Sequence, residues 1–214
     1  MEQILQDISA ALQKGRHKEV TALVAQAIEA GVPADAILND GLLSGMNVVG
    51  EKFKEGKAYV PEVMVAARAM NMGAALLKPL LAEGEGASVG KAVIGTVEGD
   101  QHDIGKNLVK MMLEAKGIEV VDLGTNVPAA QFVQTAIDEN CRVICCSALL
   151  TTTMDVMGEV VRLCAEAGIR NKVRIMIGGA PITQEFCDQI GADAYTPDAT
   201  SASEKAVEFC KENA

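Results

Sequence analysis

The chain has 214 residues, 49% of them hydrophobic but only 3% aromatic, so Ala, Val, Ile, Leu and ten Met must build its core. Acidic residues outnumber basic ones 29 to 19, for a formal charge of −10; nucleic acid and anionic membrane surfaces both call for a basic patch, and this balance argues against them. No apolar run approaches the roughly 20 residues of a membrane span, and the N-terminus has no basic segment followed by an apolar one, so the expected location is the cytoplasm.

The first 82 residues read as helix. Ile4, Leu5, Ile8 and Leu12 form one apolar stripe, and Val20, Leu23, Val24, Ala27 and Ile28 a second. Gly15 and Gly31 are natural stops between them. Pro33 opens a third helix through Ile37, Leu38, Leu42, Met46 and Val49, ending near Gly56. Pro61 opens a fourth, through Met64, Val65, Ala69, Met72, Leu76 and Leu77. Short connections predict a four-helix antiparallel bundle over residues 1–82. Residues 83–90 are Gly-rich and aperiodic, and read as a linker.

From residue 91 to 214 strands alternate with helices. Strands are predicted at 92–97, 119–123, 142–147, 173–177 and 192–195. Helices are predicted at about 105–116, 128–139, 154–167, 184–190 and 201–212. Five strands alternating with five helices imply an α/β fold with a parallel sheet covered on both faces. Right-handed crossovers make the flavodoxin-like (Rossmann-type) strand order the natural choice.

The six cysteines, Cys141, Cys145, Cys146, Cys164, Cys187 and Cys210, include no Cys-x-x-Cys pair. Several lie in apolar segments, where a free thiol acts as a small hydrophobe. Buried thiols in a reducing compartment are expected, with no zinc or iron–sulfur site. Of the two histidines, His17 sits among Arg16, Lys18 and Glu19 and reads as solvated.

The other histidine has a different setting: Asp100-Gln101-His102-Asp103-Ile104-Gly105, between the first strand and the next helix. An Asp two residues before a His can fix its tautomer and leave the other ring nitrogen free for a metal. One His is a poor metal site unless something else, such as a macrocycle, supplies the remaining ligands. Ligands of open α/β sheets bind beyond the carboxyl ends of the strands. Two further segments fall at such ends: Ser147-Ala148-Leu149 with Thr151, Thr152 and Thr153, and Gly178-Gly179. Dinucleotide binding is disfavoured, because Gly-x-Gly-x-x-Gly is absent and Glu98, Asp100 and Asp103 would repel a pyrophosphate. A phospho-accepting module would want an Asp where Ser147 stands.

The three segments closely resemble the cobalamin-binding signature Asp-x-His-x-x-Gly, Ser-x-Leu, Gly-Gly. Here 41 residues separate Gly105 from Ser147 and 28 separate Leu149 from Gly178, matching that pattern. With Tyr59-Val-Pro-Glu-Val-Met-Val-Ala-Ala-Arg-Ala-Met70 in the last bundle helix, nearly the whole chain resembles the corrinoid proteins of methylotrophic methyltransferase systems. The resemblance implies a helical cap over 1–82 and a cobalamin-binding domain over 91–214. His102 would be the lower axial ligand of cobalt, replacing the cofactor's own base, with Asp100 on its other nitrogen. Ser147, Leu149, Gly178 and Gly179 would line the nucleotide tail, Gly105 would admit the corrin ring, and Thr151 or Thr153 would bond the tail or extend the Asp100–His102 pair. Met64, Met70 and Met72 are candidates for the upper face of the ring, though Met at helical spacing is more often core.

The implied function is that of a methyl carrier rather than a complete enzyme. The cobalt would accept a methyl group through a substrate:corrinoid methyltransferase, with methylamines or quaternary amines first among donors. It would give that group up through a methylcorrinoid:acceptor methyltransferase to a thiol or tetrahydrofolate, and a reductive activase is a further implied partner. A cobalamin-dependent sensor and the small cobalamin subunit of a mutase are the alternatives. The charge leaves no basic DNA-binding helix for the first, and the helical cap disfavours the second.

Overall fold

The computed structural model describes residues 2–82 and 89–212. Contacts divide the chain into two compact units, residues 1–87 and 88–214. Most of the expected linker, residues 83–90, lies outside the described residues.

The first unit comprises α1 (Glu2–Gln13), α2 (His17–Glu29), α3 (Ala34–Ala36), a π-helical segment (Ile37–Leu43), α4 (Ser44–Lys54) and α5 (Val60–Ala82). The stripes read from the sequence supply much of its core, with Ile8, Leu12, Val20, Val24, Leu42, Met46 and Leu77 fully buried, but in α5 the expected Met64, Val65, Met72 and Leu76 are exposed, and Val63, Ala66, Ala67 and Met70 are buried in their place. The third helix differs from expectation. It runs from Ala34 to Lys54, but its middle winds as a π-helix. Ile37 and Leu42 are five residues apart and both fully buried; i→i+5 winding keeps both on the inner face, where α-helical winding would splay them. This helix also passes close to α1, since a Cβ at Gly45 would lie 2.9 Å from the Ser9 carbonyl oxygen. Among the methionines singled out above, Met70 is core at 1% exposure, whereas Met64 and Met72 are exposed. His17 is partly buried at the start of α2 rather than fully solvated.

The second unit alternates β1 (Gly90–Thr96), α6 (Ile104–Ala115), β2 (Ile118–Asp122), α7 (Ala129–Asp138), β3 (Val143–Ser147), a 3-10 turn (Thr151–Thr153), α8 (Asp155–Glu166), β4 (Arg174–Gly178), α9 (Gln184–Ile190), β5 (Ala194–Tyr195) and α10 (Ala199–Lys211). The sheet is parallel with order β2-β1-β3-β4-β5, the flavodoxin-like order expected. Period-two alternation sends Val93, Ile144, Cys146, Ile175 and Ile177 to a core shared with Phe132 of α7, Met157 of α8 and Cys187 of α9. Ala92, Ile94, Val143, Cys145 and Met176 face the opposite core, with Leu113 of α6 and Ala206 and Phe209 of α10. Strands buried on both faces explain the continuous apolar runs that mark them in the sequence.

Eight of the ten strand ends shift by one or two residues from the predicted bounds, and two of the shifts have a visible cause. Val97 leaves β1 to pair singly with Val127. β5 begins at Ala194 rather than 192, because the Asp193 carboxylate itself accepts the Ile175 N–H at 2.7 Å. All six cysteines are free and buried. Burial pushes the Cys145 thiol up to about 12 and the Cys141 and Cys164 thiols up to about 11. The native protein is therefore expected to give no reaction with an aromatic disulfide at pH 8, and six equivalents after unfolding in guanidinium. Labelling in the native state would contradict this arrangement.

Candidate cofactor-binding site

The sheet brings the three signature segments to one edge. Thr96 is in register with Ser147, and Ser147 with Gly178, so the ends of β1, β3 and β4 are level. The loops that follow them diverge from a common line at the carboxyl end of the sheet.

Asp100 is the organising group. It is fully buried, and one oxygen accepts the His102 backbone N–H at 3.0 Å and faces His102 Nδ1 at 2.7 Å. The other oxygen accepts the backbone N–H groups of Leu149 at 2.6 Å and Leu150 at 3.1 Å. Burial alone would raise the pKa of this carboxyl. The three N–H groups and the ring outweigh burial and hold the group well below the usual carboxylate range. An ionised acceptor on Nδ1 keeps the proton there and leaves Nε2 as the basic nitrogen. The His102 side chain is 54% exposed, and no described residue bonds Nε2. Thr96 fixes the backbone beneath, donating from its fully buried hydroxyl to the His102 carbonyl at 2.8 Å.

The glycines divide by role. A Cβ at Gly179, where φ is +134°, would lie 1.8 Å from the Ala148 carbonyl oxygen; here glycine lets the loop after β4 cross the loop after β3. A Cβ at Gly178 would make only ordinary contact with the Thr196 carbonyl. At Gly105 a Cβ would meet nothing within 4 Å, so no protein neighbour accounts for that glycine and the space beside His102 is open. Ile104, Leu149 and Leu150 are exposed around it, Ile104 at 76%. Large apolar side chains exposed together mark a binding surface.

The threonines separate as well. Thr153 is buried and donates to the Leu150 carbonyl at 2.9 Å rather than reaching Asp100, and Thr151 is exposed in the 3-10 turn. The partners of Asp100 on this side are thus backbone N–H groups, which no residue-type motif can reveal. The sequence reading also passed over Lys106, 3% exposed in the first turn of α6, which donates to Asp122 at the end of β2 at 2.7 Å and ties the helix after His102 to the sheet. A lysine on the inner stripe of an amphipathic helix was the available signal.

Among the described residues no group of three or more His, Cys, Asp and Glu side chains could hold a metal ion. His102 by itself offers one ligand. The site therefore fits a metal that arrives with its own equatorial ligands, beside an open apolar ledge. A buried Thr200 hydroxyl without a hydrogen-bond partner, in the first turn of α10 after β5, adds a polar group at this end of the sheet with bonding capacity to spare.

A flavodoxin-like sheet with this histidine loop defines a B12-binding protein. Two models described as "B12 binding domain" match the chain, one over residues 90–207 and the other over residues 4–78. The chain belongs to the corrinoid protein family that includes the dimethylamine corrinoid protein of Methanosarcina barkeri. It is 45% identical to that protein over 209 residues, covering 97% of this chain and 98% of the relative. It is 44% identical to trimethylamine corrinoid protein 1 of Methanosarcina acetivorans, covering 88% of each. The crystal structure of the methanol:cobalamin methyltransferase complex from Methanosarcina barkeri superposes with a TM-score of 0.86 at 33% identity, over 99% of this chain and 81% of that one. No helix of the described residues is long and apolar enough to cross a membrane.

Proposed function

We propose that this chain is a corrinoid methyl carrier of a methylamine methyltransferase system, with His102 as the lower axial ligand of its cobalamin. The observation that carries the ligand role is the Asp100–His102 pair: Nδ1 is fixed on a buried carboxylate, and Nε2 is left free on an exposed ring beside the opening at Gly105. Bound cobalamin supplies a cobalt that accepts and releases a methyl group; the protein's residues bind and orient it. Asp100 holds the imidazole upright and raises its basicity toward the metal. Ile104, Leu149 and Leu150 offer apolar surface to the ring. On this reading Ser147, Leu149, Gly178 and Gly179, with Thr151 or Thr153, line the path of the nucleotide tail, supported by the level ends of β1, β3 and β4.

Asp100, with four donors on its two oxygens, stays an ionised acceptor that holds the ring proton on Nδ1, so Nε2 is the nitrogen that would hold the cobalt. The similarity to dimethylamine and trimethylamine corrinoid proteins over almost their full lengths supports a methylated amine as donor. It also favours the carrier over a sensor or a mutase subunit, because both units of the chain are matched together. The partners are then a substrate:corrinoid methyltransferase, a methyltransferase delivering to a thiol or tetrahydrofolate, and a reductive activase.

Electron paramagnetic resonance tests the ligand. Protein grown on 15N-histidine and loaded with cobalamin is expected, after one-electron reduction, to show a doublet splitting from the axial nitrogen. His102→Ala should still take up cobalamin and lose that doublet. A triplet in the wild type, which reports the cofactor's own 14N base, would refute the axial role.

A further inference from the structure

The loop carrying Asp100 and His102 is gripped from its other side by the segment between β2 and α7. Thr96 donates its N–H to the Gly124 carbonyl at 2.9 Å, and Val127 donates its own to the Thr96 carbonyl at 3.0 Å. The Thr125 hydroxyl reaches Gln101 Oε1 at 3.1 Å. At the centre is Asn126, whose N–H donates to the Asp100 carbonyl at 2.9 Å and whose Oδ1 accepts the Gly99 N–H at 2.8 Å. Asn126 brackets the two residues on which the turn pivots. It holds a left-handed conformation, φ 55°, and so does Gly99, φ 83°.

We propose that Asn126 is a positioning residue for His102, setting the height of the ligand loop above the sheet so that Nε2 meets the metal; this rests on the axial role of His102 proposed above. The residue's chemistry fits this task. A left-handed backbone is costly for most side chains and mild for Asn. Gly would satisfy the backbone but has no acceptor for the Gly99 N–H. Ala would lack the acceptor and strain the backbone. Asp alone keeps both features. Asp100 pins the loop to the β3 side through its carboxylate, and Asn126 pins it to the β2 side. With one pin removed the loop can lift and lengthen the reach of His102.

The test uses full-length protein loaded with hydroxocobalamin and titrated with cyanide, which displaces the axial nitrogen and is read in the visible spectrum. Asn126→Gly is expected to bind the corrinoid and to release the histidine at about fivefold lower cyanide, the loss of about one neutral hydrogen bond. Asn126→Asp should titrate like the wild type. An Asn126→Gly midpoint equal to wild type would overturn the proposal, as would failure of both Asn126→Gly and Asn126→Asp to fold or take up corrinoid, which marks a scaffold residue instead. The axial role itself is judged separately: if the 15N doublet is absent in the wild type that reading fails, whereas an unchanged midpoint with the doublet present removes only Asn126.

Discussion

Asp100→Asn is expected to leave the protein able to take up cobalamin while shifting the axial equilibrium away from His102 by about ten- to a hundredfold, one unmatched buried donor's worth. The reason is donor counting. Asp100 accepts on one side from Leu149 and Leu150 and on the other from the backbone and ring of His102. An amide oxygen turned to Leu149 and Leu150 leaves an NH2 group facing the His102 N–H and Nδ1. Nδ1 must then accept, which moves the ring proton to Nε2 and closes the nitrogen meant for cobalt. The 15N doublet should shrink to a minor component; its persistence at wild-type strength would sink the tautomer argument.

The same carboxylate has a signature without cofactor. Its folded pKa lies below the ordinary 3.8, so its stabilisation is fully present above that value and is lost as pH falls through the folded one. Acid unfolding of the cofactor-free protein should therefore steepen below about pH 4, and Asp100→Asn should flatten that part of the curve. Equal slopes in the two proteins would count against a depressed Asp100.

Gly179→Ala is expected to destabilise the second unit by about 4 kcal/mol or more, a large part of the stability of an ordinary domain, and to lower its thermal midpoint by well over about 10 °C. Its Cβ would sit 1.8 Å from the Ala148 carbonyl oxygen on a backbone with φ +134°, and backbone cannot swing aside as a side chain can. The displaced residue lies just before Leu149, whose N–H holds Asp100, so the histidine site would be lost with the fold. Gly178→Ala is the control. Its Cβ meets the Thr196 carbonyl oxygen at 3.4 Å, an ordinary contact, and folding should change by about 1 kcal/mol or less. A normal melt for Gly179→Ala would refute the crossing-loop account.

The doublet of glycines carries a constraint that its place in the motif does not reveal. The sequence reading assigns Gly178 and Gly179 to the lining of the nucleotide tail, and the structure adds that Gly179 serves a backbone crossing, whereas a Cβ at Gly105 would meet nothing within 4 Å. The strand order was legible because apolar runs, helix stripes and crossover handedness all pointed one way, and the order β2-β1-β3-β4-β5 followed. The Asp100–His102 contact was legible because it is local, two residues apart in the chain. The N–H groups of Leu149 and Leu150 were not, since backbone donors carry no side-chain signal. Nor was the π-helical turn, where a spacing of five between Ile37 and Leu42 was absorbed into an ordinary helical stripe. Asn126 carries no motif of its own in the sequence, and its meaning comes from Gly99 and Asp100, many residues earlier in the chain.

The buried cysteines take on a chemical meaning beside a methyl carrier. An activated methyl group is an alkylating agent, and a thiolate is the side chain that would attack it most readily. Cys145 and Cys146 sit in β3 immediately before Ser147, within two residues of the site. Burial raises the Cys145 thiol to about 12 and the Cys146 thiol well above its usual value, so neither offers a thiolate at neutral pH. The packing that fills the sheet's two faces with small sulfur-bearing side chains thereby keeps both thiols protonated and poorly reactive toward an alkylating methyl group.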